Sequence, residues 1–231
     1  MGADRQRIAR LDIPVTTTID VFSDVVCPWC YLGKRRLSRA LAAMPARLFA
    51  IHWLPFQLDP TIPVEGVDRD AYLIGKFGSA DAIEPAHQRL TEMGHAEGIE
   101  YRFDRITRSP NTIDAHRVIR WAAPAGVHDA VVERLFAAYF TQGRDIGDRA
   151  VLAAIAAEAG LGGGIAARLA GDEDTETINA EIQNAYRIGV NGVPCYVIDR
   201  RLGVMGAQMP DALVAAVAQA EALKGGGAPD A

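Results

Sequence analysis

The chain has 231 residues, 49% of them hydrophobic, enough to bury a sizeable core as one domain carrying a large insertion or as two closely packed domains. A formal net charge of -5 at pH 7, with acids and bases interspersed, leaves no basic footprint for phosphate backbones or an anionic bilayer, so nucleic acid and membrane are discounted as partners. The opening residues, MGADRQRIARLDIPVTTT, show neither an apolar h-region nor a small-residue cleavage site, and no apolar run approaches a membrane span, so the expected location is cytoplasmic. Three cysteines in a reducing compartment do not make a structural disulfide framework.

Thr17–Phe22 is rich in β-branched and aromatic residues, and Ile19, Val21 and Phe22 suit an inner strand buried on both faces. Beyond Cys27 the positions Cys30, Leu37, Ala40, Leu41 and Met44 follow i, i+3, i+4 spacing and predict a helix that ends by Pro45. Leu48–Leu58 is a second strand candidate, which Pro55 should end or push to a sheet edge. Strand, helix, strand is a βαβ unit with a parallel pair. From Asp59 to about Gly189 the periodic segments are helical: Asp70–Phe77, Asp81–Glu97, Thr112–Ala123, Val127–Gln142, Asp148–Ala159 and Thr175–Ile188. That block is too long for a simple crossover and reads as an inserted helical subdomain.

Local signals mark the helix ends. Asn111 and Asp114 in NTID resemble a capping box, Asp148 suits an N-cap, and Gly160 and Gly189 stand where C-terminal glycines belong. The run GLGGG, Gly160–Gly164, lacks the phosphate-loop pattern and reads as a turn. Pro194–Gly206 predicts two short strands around a turn at Asp199–Arg201, and a last helix follows Met209, started by Pro210 and Asp211. Gly225–Ala231 reads as a frayed tail.

The pair Cys27 and Cys30 carries the chemistry. A helix starting at or near Cys27 places that sulfur where free N–H groups and the macrodipole favour negative charge, and a thiolate is the attacking species in disulfide exchange. Cys30, three residues on, is near enough to resolve a mixed disulfide, and Pro28 fits a first-turn position that needs no N–H. The other readings are two small buried residues or half of a zinc site. For zinc the neighbouring sequence has no second Cys-x-x-Cys and no His-x-x-x-His, and Cys195 with His52, His87, His95, His116 or His128 completes one only by coincidence of folding, so no metal ligand is assigned. Asp24 stands where its charge would disfavour a Cys27 thiolate, and equally where a turn wants an aspartate.

The segments DVVCPWCYLGKRRL, PFQLDP, KFG, NTIDAHR, DIGD, GVPCYVI and GVMGAQ, spread from about Thr17 to Leu223, resemble the DsbA-like family in its cytoplasmic FrnE-type branch. The resemblance implies an α/β protein: a thioredoxin-like fold with a large all-helical insertion. The thioredoxin-like domain would occupy 17–58 and 190–224, the inserted helices 59–189, and tails 1–16 and 225–231. It implies thiol-disulfide oxidoreductase activity, with Cys27 as nucleophile, Cys30 as resolving thiol and Pro194 as a cis-proline facing them. Val193 would offer backbone groups to an extended substrate segment, and Pro28 and Trp29 would touch substrate. No tightly bound cofactor is implied. Partners would be protein thiols and disulfides or glutathione, the latter as co-substrate, and the apolar helices allow a homodimer as readily as a core of their own.

Two features depart from the better known relatives. Pro28 and Trp29 leave no histidine between the cysteines, so the expected potential is nearer roughly -200 to -230 mV than the strongly oxidising value of about -120 mV. Cys195 stands where many relatives have threonine, as a third thiol near the site or a small buried residue. Asn111 and His116 are expected at the cleft between helical block and sheet, His116 otherwise as a hydrogen-bonded helix-interface residue, and His52 as a core or interface residue. Lys34–Arg36 reads as a solvated helix face that would also suit nearby anions. Two other function classes remain at this level. One is a glutathione-dependent transferase or isomerase of the kappa or 2-hydroxychromene-2-carboxylate isomerase type, where serine commonly takes the first cysteine position. The other is a non-catalytic metal-binding or peptide-binding protein.

Overall fold

The computed structural model describes residues 16–225, so the sequence readings for 1–15 and 226–231 lie outside the described residues. Strand β1 (Thr16–Ser23), helix α1 (Pro28–Ala42) and strand β2 (Leu48–Pro55) form the βαβ unit, and the strands pair in parallel from Thr16 against Leu48 to Ser23 against Pro55. Thr16 is therefore strand and not tail. Helix α1 stops three residues before Pro45, whose ring excludes helical geometry from the residue ahead of it.

The helical block holds α2 (Arg69–Phe77), α3 (Ala80–Ala96), α4 (Ile113–Ala122), α5 (His128–Phe140), α6 (Arg149–Glu158), α7 (Ile165–Ala170) and α8 (Thr175–Arg187). It also carries a two-residue antiparallel ladder, β3 (Val67–Asp68) with β4 (Arg108–Ser109). That ladder and α7 are too short to leave a periodic signature. Asp148 caps α6 by accepting from the N–H groups of Ala150 and Val151, and Gly160 and Gly189 take positive φ of 84° and 90°. The NTID capping box does not form. Thr112 takes the cap position, Asn111 accepts from the Ile113 N–H and donates to the Ile62 carbonyl, and Asp114 is drawn into ion pairs with Arg117 and Arg149.

After the block, β5 (Cys195–Ile198) and β6 (Leu202–Met205) complete a four-stranded sheet of order β2-β1-β5-β6, with β5 antiparallel to β1 and to β6. Helix α9 (Pro210–Gly225) closes the fold, so Gly225 is helix and not tail. Ile19, Val21, Tyr196 and Ile198 pack on one sheet face against Leu37 and Ala40 of α1 and Leu213 and Val217 of α9. A smaller cluster of Phe22, Phe56, Ala185, Val190 and Cys195 fills the other face, and the block has its own core around Val118, Leu135, Phe136 and Leu152. Tyr31 and Leu32 belong to the block core while Leu37 and Ala40 belong to the sheet core, so α1 is common to both.

Two sequence readings are corrected here. Lys34 and Arg36 are not solvated: they are 4% and 8% exposed, Lys34 pairing with Asp129 and Glu133 and Arg36 with Glu97. Arg35, half-buried, pairs with Glu133. Burying these charges is tolerable because each has its counter-ion. His52 is not a core residue. β2 is a sheet edge, and the His52 side chain is 53% exposed with Nδ1 2.7 Å from Asp20 Oδ1 on the neighbouring strand.

Candidate active site

The turn from β1 into α1 is fixed by main-chain bonds. The Asp24 carbonyl accepts from the Cys27 N–H at 3.0 Å, and the Cys27 carbonyl accepts from the N–H groups of Cys30 at 3.0 Å and Tyr31 at 3.3 Å. Cys27 occupies the N-cap of α1 in extended geometry, with Pro28 next and no hydrogen bond from its side chain to the helix, so its sulfur stands at the positive end of the helix macrodipole. From the helical block, the Tyr101 hydroxyl donates to the Pro28 carbonyl at 2.6 Å and holds the Cys-Pro-Trp-Cys turn from outside.

All three cysteines are free thiols and buried. Cys27 Sγ lies 3.7 Å from the Val193 carbonyl, next to the Val193–Pro194 peptide bond, which is cis. Burial, reinforced by the neighbouring Cys27 sulfur, pushes the Cys30 thiol well above its ordinary range and keeps its proton on. One turn beyond Cys30, Gly33 lets the helix approach the cis-proline loop: a Cβ there would stand 2.8 Å from Pro194 Cγ and collide with the Tyr196 hydroxyl.

A cavity of about 460 Å³ opens beside Cys27, Pro28, Trp29 and Val193, with α2 and α3 as its far wall. Asp24 reaches it as well. Its carboxylate accepts from the Leu58 N–H at 2.8 Å, and desolvation raises its pKa to about 6. Asn111, His116 and Cys195 do not line it. Asn111 ties the Ile62 segment to the start of α4, Cys195 packs among Phe22, Phe56, Ala185 and Val190, and His116 is a buried interface residue with Nε2 3.0 Å from the Phe56 carbonyl. Among the described residues no group of three or more His, Cys, Asp and Glu side chains is placed to hold a metal ion. Sequence reasoning missed Tyr101 and Gly33. Gly33 alone left a trace, as a glycine inside an otherwise unbroken helical pattern.

Asp24 and His116 face each other, with His116 Nε2 3.9 Å from Asp24 Oδ1. Desolvation lowers the His116 pKa to about 4. Asp24 binds its proton more tightly folded than unfolded, so its stabilising contribution is complete below pH 3.8 and is lost as pH rises through about 6. His116 works oppositely: its contribution is complete above pH 6.5 and is lost as pH falls through about 4. The two slopes, each on the order of 3 kcal/mol in total, oppose one another, so the contributions of this pair largely cancel across this window. Asp24→Asn should therefore lose about 2–3 kcal/mol between pH 6.5 and pH 4, whereas His116→Gln should lose a similar amount on going from pH 4 to pH 6. Urea unfolding at these pH values reads both, and flat profiles for both variants would refute the opposition.

A βαβ unit closed by a hairpin and a helix, with Cys-x-x-Cys at the start of α1 facing a cis-proline loop, defines a thioredoxin-fold protein. The family model for the DSBA-like thioredoxin domain matches residues 18–218, and the chain belongs to that family of oxidoreductases. A solved structure from Streptomyces coelicolor described as "probable DsbA oxidoreductase" is 30% identical, with a TM-score of 0.82 over 93% of both chains. The cytosolic disulfide reductase DsbM of Pseudomonas aeruginosa shares the fold at 21% identity and a TM-score of 0.65, over 89% of this chain and 99% of that one. A 2-hydroxychromene-2-carboxylate isomerase shares it at 17% identity and 0.69, over 90% and 98%. Among curated proteins, the uncharacterized YwbO of Bacillus subtilis is 28% identical over 149 residues, 64% of this chain and 69% of its own. No helix among the described residues is long and apolar enough to cross a membrane.

Proposed function

We propose that the protein is a cytoplasmic thiol-disulfide oxidoreductase that uses Cys27 to attack and Cys30 to resolve, exchanging with glutathione or with protein thiols. The observation that carries this reading is the placement of Cys27 at the N-cap of α1, its sulfur 3.7 Å from the Val193 carbonyl and open to the cavity, with Cys30 buried one turn further in. The Cys27 thiolate attacks one sulfur of a substrate disulfide, and the other sulfur departs as a thiolate and takes a proton. Cys30 then loses its proton and attacks the Cys27 sulfur, which breaks the mixed disulfide, frees the second substrate thiol and leaves a Cys27–Cys30 disulfide. Run backwards, the same steps oxidise a dithiol. The two sulfurs carry both electrons, so the cycle requires no bound cofactor. The Val193 main chain beside Cys27 supports recognition of an extended substrate segment. Retention of both cysteines favours this chemistry over glutathione transfer or isomerisation.

The test is a glutathione redox series, quenched by alkylation and read by mass after digestion. A reversible two-electron transition confined to Cys27 and Cys30, with a midpoint at roughly -200 to -230 mV, is the expected outcome. Absence of an internal disulfide at every ratio would refute it.

A further inference from the structure

Four cationic side chains are buried among the described residues: Lys34, Arg36, Arg69 and Arg117. Three are fully answered. Lys34 has Asp129 and Glu133, Arg36 has Glu97 and the Ala207 carbonyl, and Arg117 has Asp114 and the carbonyls of Arg168, Gly171 and Glu173. Arg69 is 8% exposed, yet among the described residues no carboxylate oxygen lies within 4.0 Å of it. The adjacent Asp68 is committed to capping α2 through the Ala71 N–H. The guanidinium's neighbours are neutral: the Phe103 ring at 5.9 Å, and the Tyr139 hydroxyl as a hydrogen-bond partner without charge.

Arg69 lines the same cavity as Cys27 and Val193. The carboxylates of that cavity have donors, and its other cation, Lys76, is exposed to solvent. Asp24 accepts from the Leu58 N–H, Asp59 accepts from Thr61 and from the Tyr72 hydroxyl, and Lys76 donates to that same hydroxyl. A buried guanidinium without a counter-ion is costly to keep, and its planar fork matches a carboxylate in two parallel hydrogen bonds. The cavity volume of about 460 Å³ falls in the range of small-molecule sites, and Leu73, Ile83 and Leu90 give it apolar walls.

We infer that Arg69 reads a carboxylate in this cavity, so that the preferred small substrates are disulfides or thiols bearing a carboxylate away from the reacting sulfur. The inference rests on the redox reading of Cys27 and Cys30 for its chemistry and on Arg69 alone for its recognition. In the reducing direction the dithiol gives two electrons to the acidic disulfide, one S–S bond breaks in the substrate and one forms between Cys27 and Cys30, and two acidic thiols leave with the two protons.

The test uses the reduced full-length protein in single turnover, with dithiodipropionate as the acidic disulfide and bis(2-hydroxyethyl) disulfide as the neutral one. Arg69→Gln should slow the acidic reaction about 10- to 100-fold and leave the neutral one within about twofold, with Arg69→Lys recovering part of the loss. An equal fall for both disulfides, or no fall for either, would overturn the assignment. Binding is read separately by NMR titration with thiodipropionate, a thioether that cannot exchange. Loss of its binding in Arg69→Gln upholds the anion site even if exchange is absent, which would be a failure of the redox reading alone. Absence of binding to the wild type overturns the anion site itself. If Arg69→Gln does not fold, the wild type decides: preference for thiodipropionate over the neutral thiodiethanol supports the inference, and equal binding refutes it.

Discussion

Cys27→Ser is expected to lower disulfide exchange by about 10³-fold or more, equivalent to some 4 kcal/mol of transition-state stabilisation. A serine hydroxyl at the α1 N-cap still meets the helix N–H groups, so the fold should hold while the attacking sulfur is gone. Cys30→Ser should behave differently. Cys27 still attacks, but nothing completes the second step, and mixed disulfides between Cys27 and substrate should accumulate to near stoichiometry. Cys195→Ser should change neither step, because Cys195 is buried among apolar side chains and burial raises its pKa. Mass spectrometry of alkylated protein after one turnover separates the three variants. Full turnover by Cys27→Ser would exclude the mechanism.

Gly33→Ala is expected to cost about 2–3 kcal/mol and to lower Tm by about 5–10 °C. The added Cβ collides with the Tyr196 hydroxyl and stands 2.8 Å from Pro194 Cγ, and neither neighbour is the far end of a flexible chain. Tyr196 is fully buried and its hydroxyl has no hydrogen-bond partner. Removing that oxygen in Tyr196→Phe should therefore be neutral or stabilising, and in the Gly33→Ala background it should restore about half of the loss. Thermal unfolding of the four members of this double-mutant cycle checks the coupling. Strictly additive effects would mean that Tyr196 is not the obstacle. The displaced group would be Pro194, whose loop faces Cys27, so exchange should slow along with the loss of stability.

The parts legible in the sequence are those specified by near neighbours along the chain. Pro28 after Cys27 marks a helix start, β-branched residues mark β1, and Asp148 caps α6 as its sequence context suggests. The remainder depends on partners far away. Lys34 and Arg36 look solvated until Asp129, 95 residues on, and Glu97, 61 residues on, are brought against α1. One signal was available, since Lys34 falls at i+3 from Tyr31 and i-3 from Leu37, on an apolar stripe. In NTID the local cap loses to the ion pairs of Asp114 with Arg117, one turn on in the same helix, and with Arg149, which only the folded block brings near. The isolation of Arg69 has no sequence signature, because it consists of what the fold fails to place beside it.

The sharing of α1 between two cores limits how this scaffold can be recombined. A chimera that exchanged residues 59–189 for the helices of a relative would leave Tyr31, Leu32 and Lys34 facing a surface shaped for other side chains, with Lys34 cut off from Asp129 and Glu133. A graft of the Cys-Pro-Trp-Cys turn alone onto another thioredoxin would omit the brace from Tyr101 to the Pro28 carbonyl. The transferable unit is α1 together with the faces of α3 and α5 that meet it and the Tyr101 segment after α3, and engineering of new specificity is better confined to the α2 wall, where Arg69 is the only buried residue of the helix.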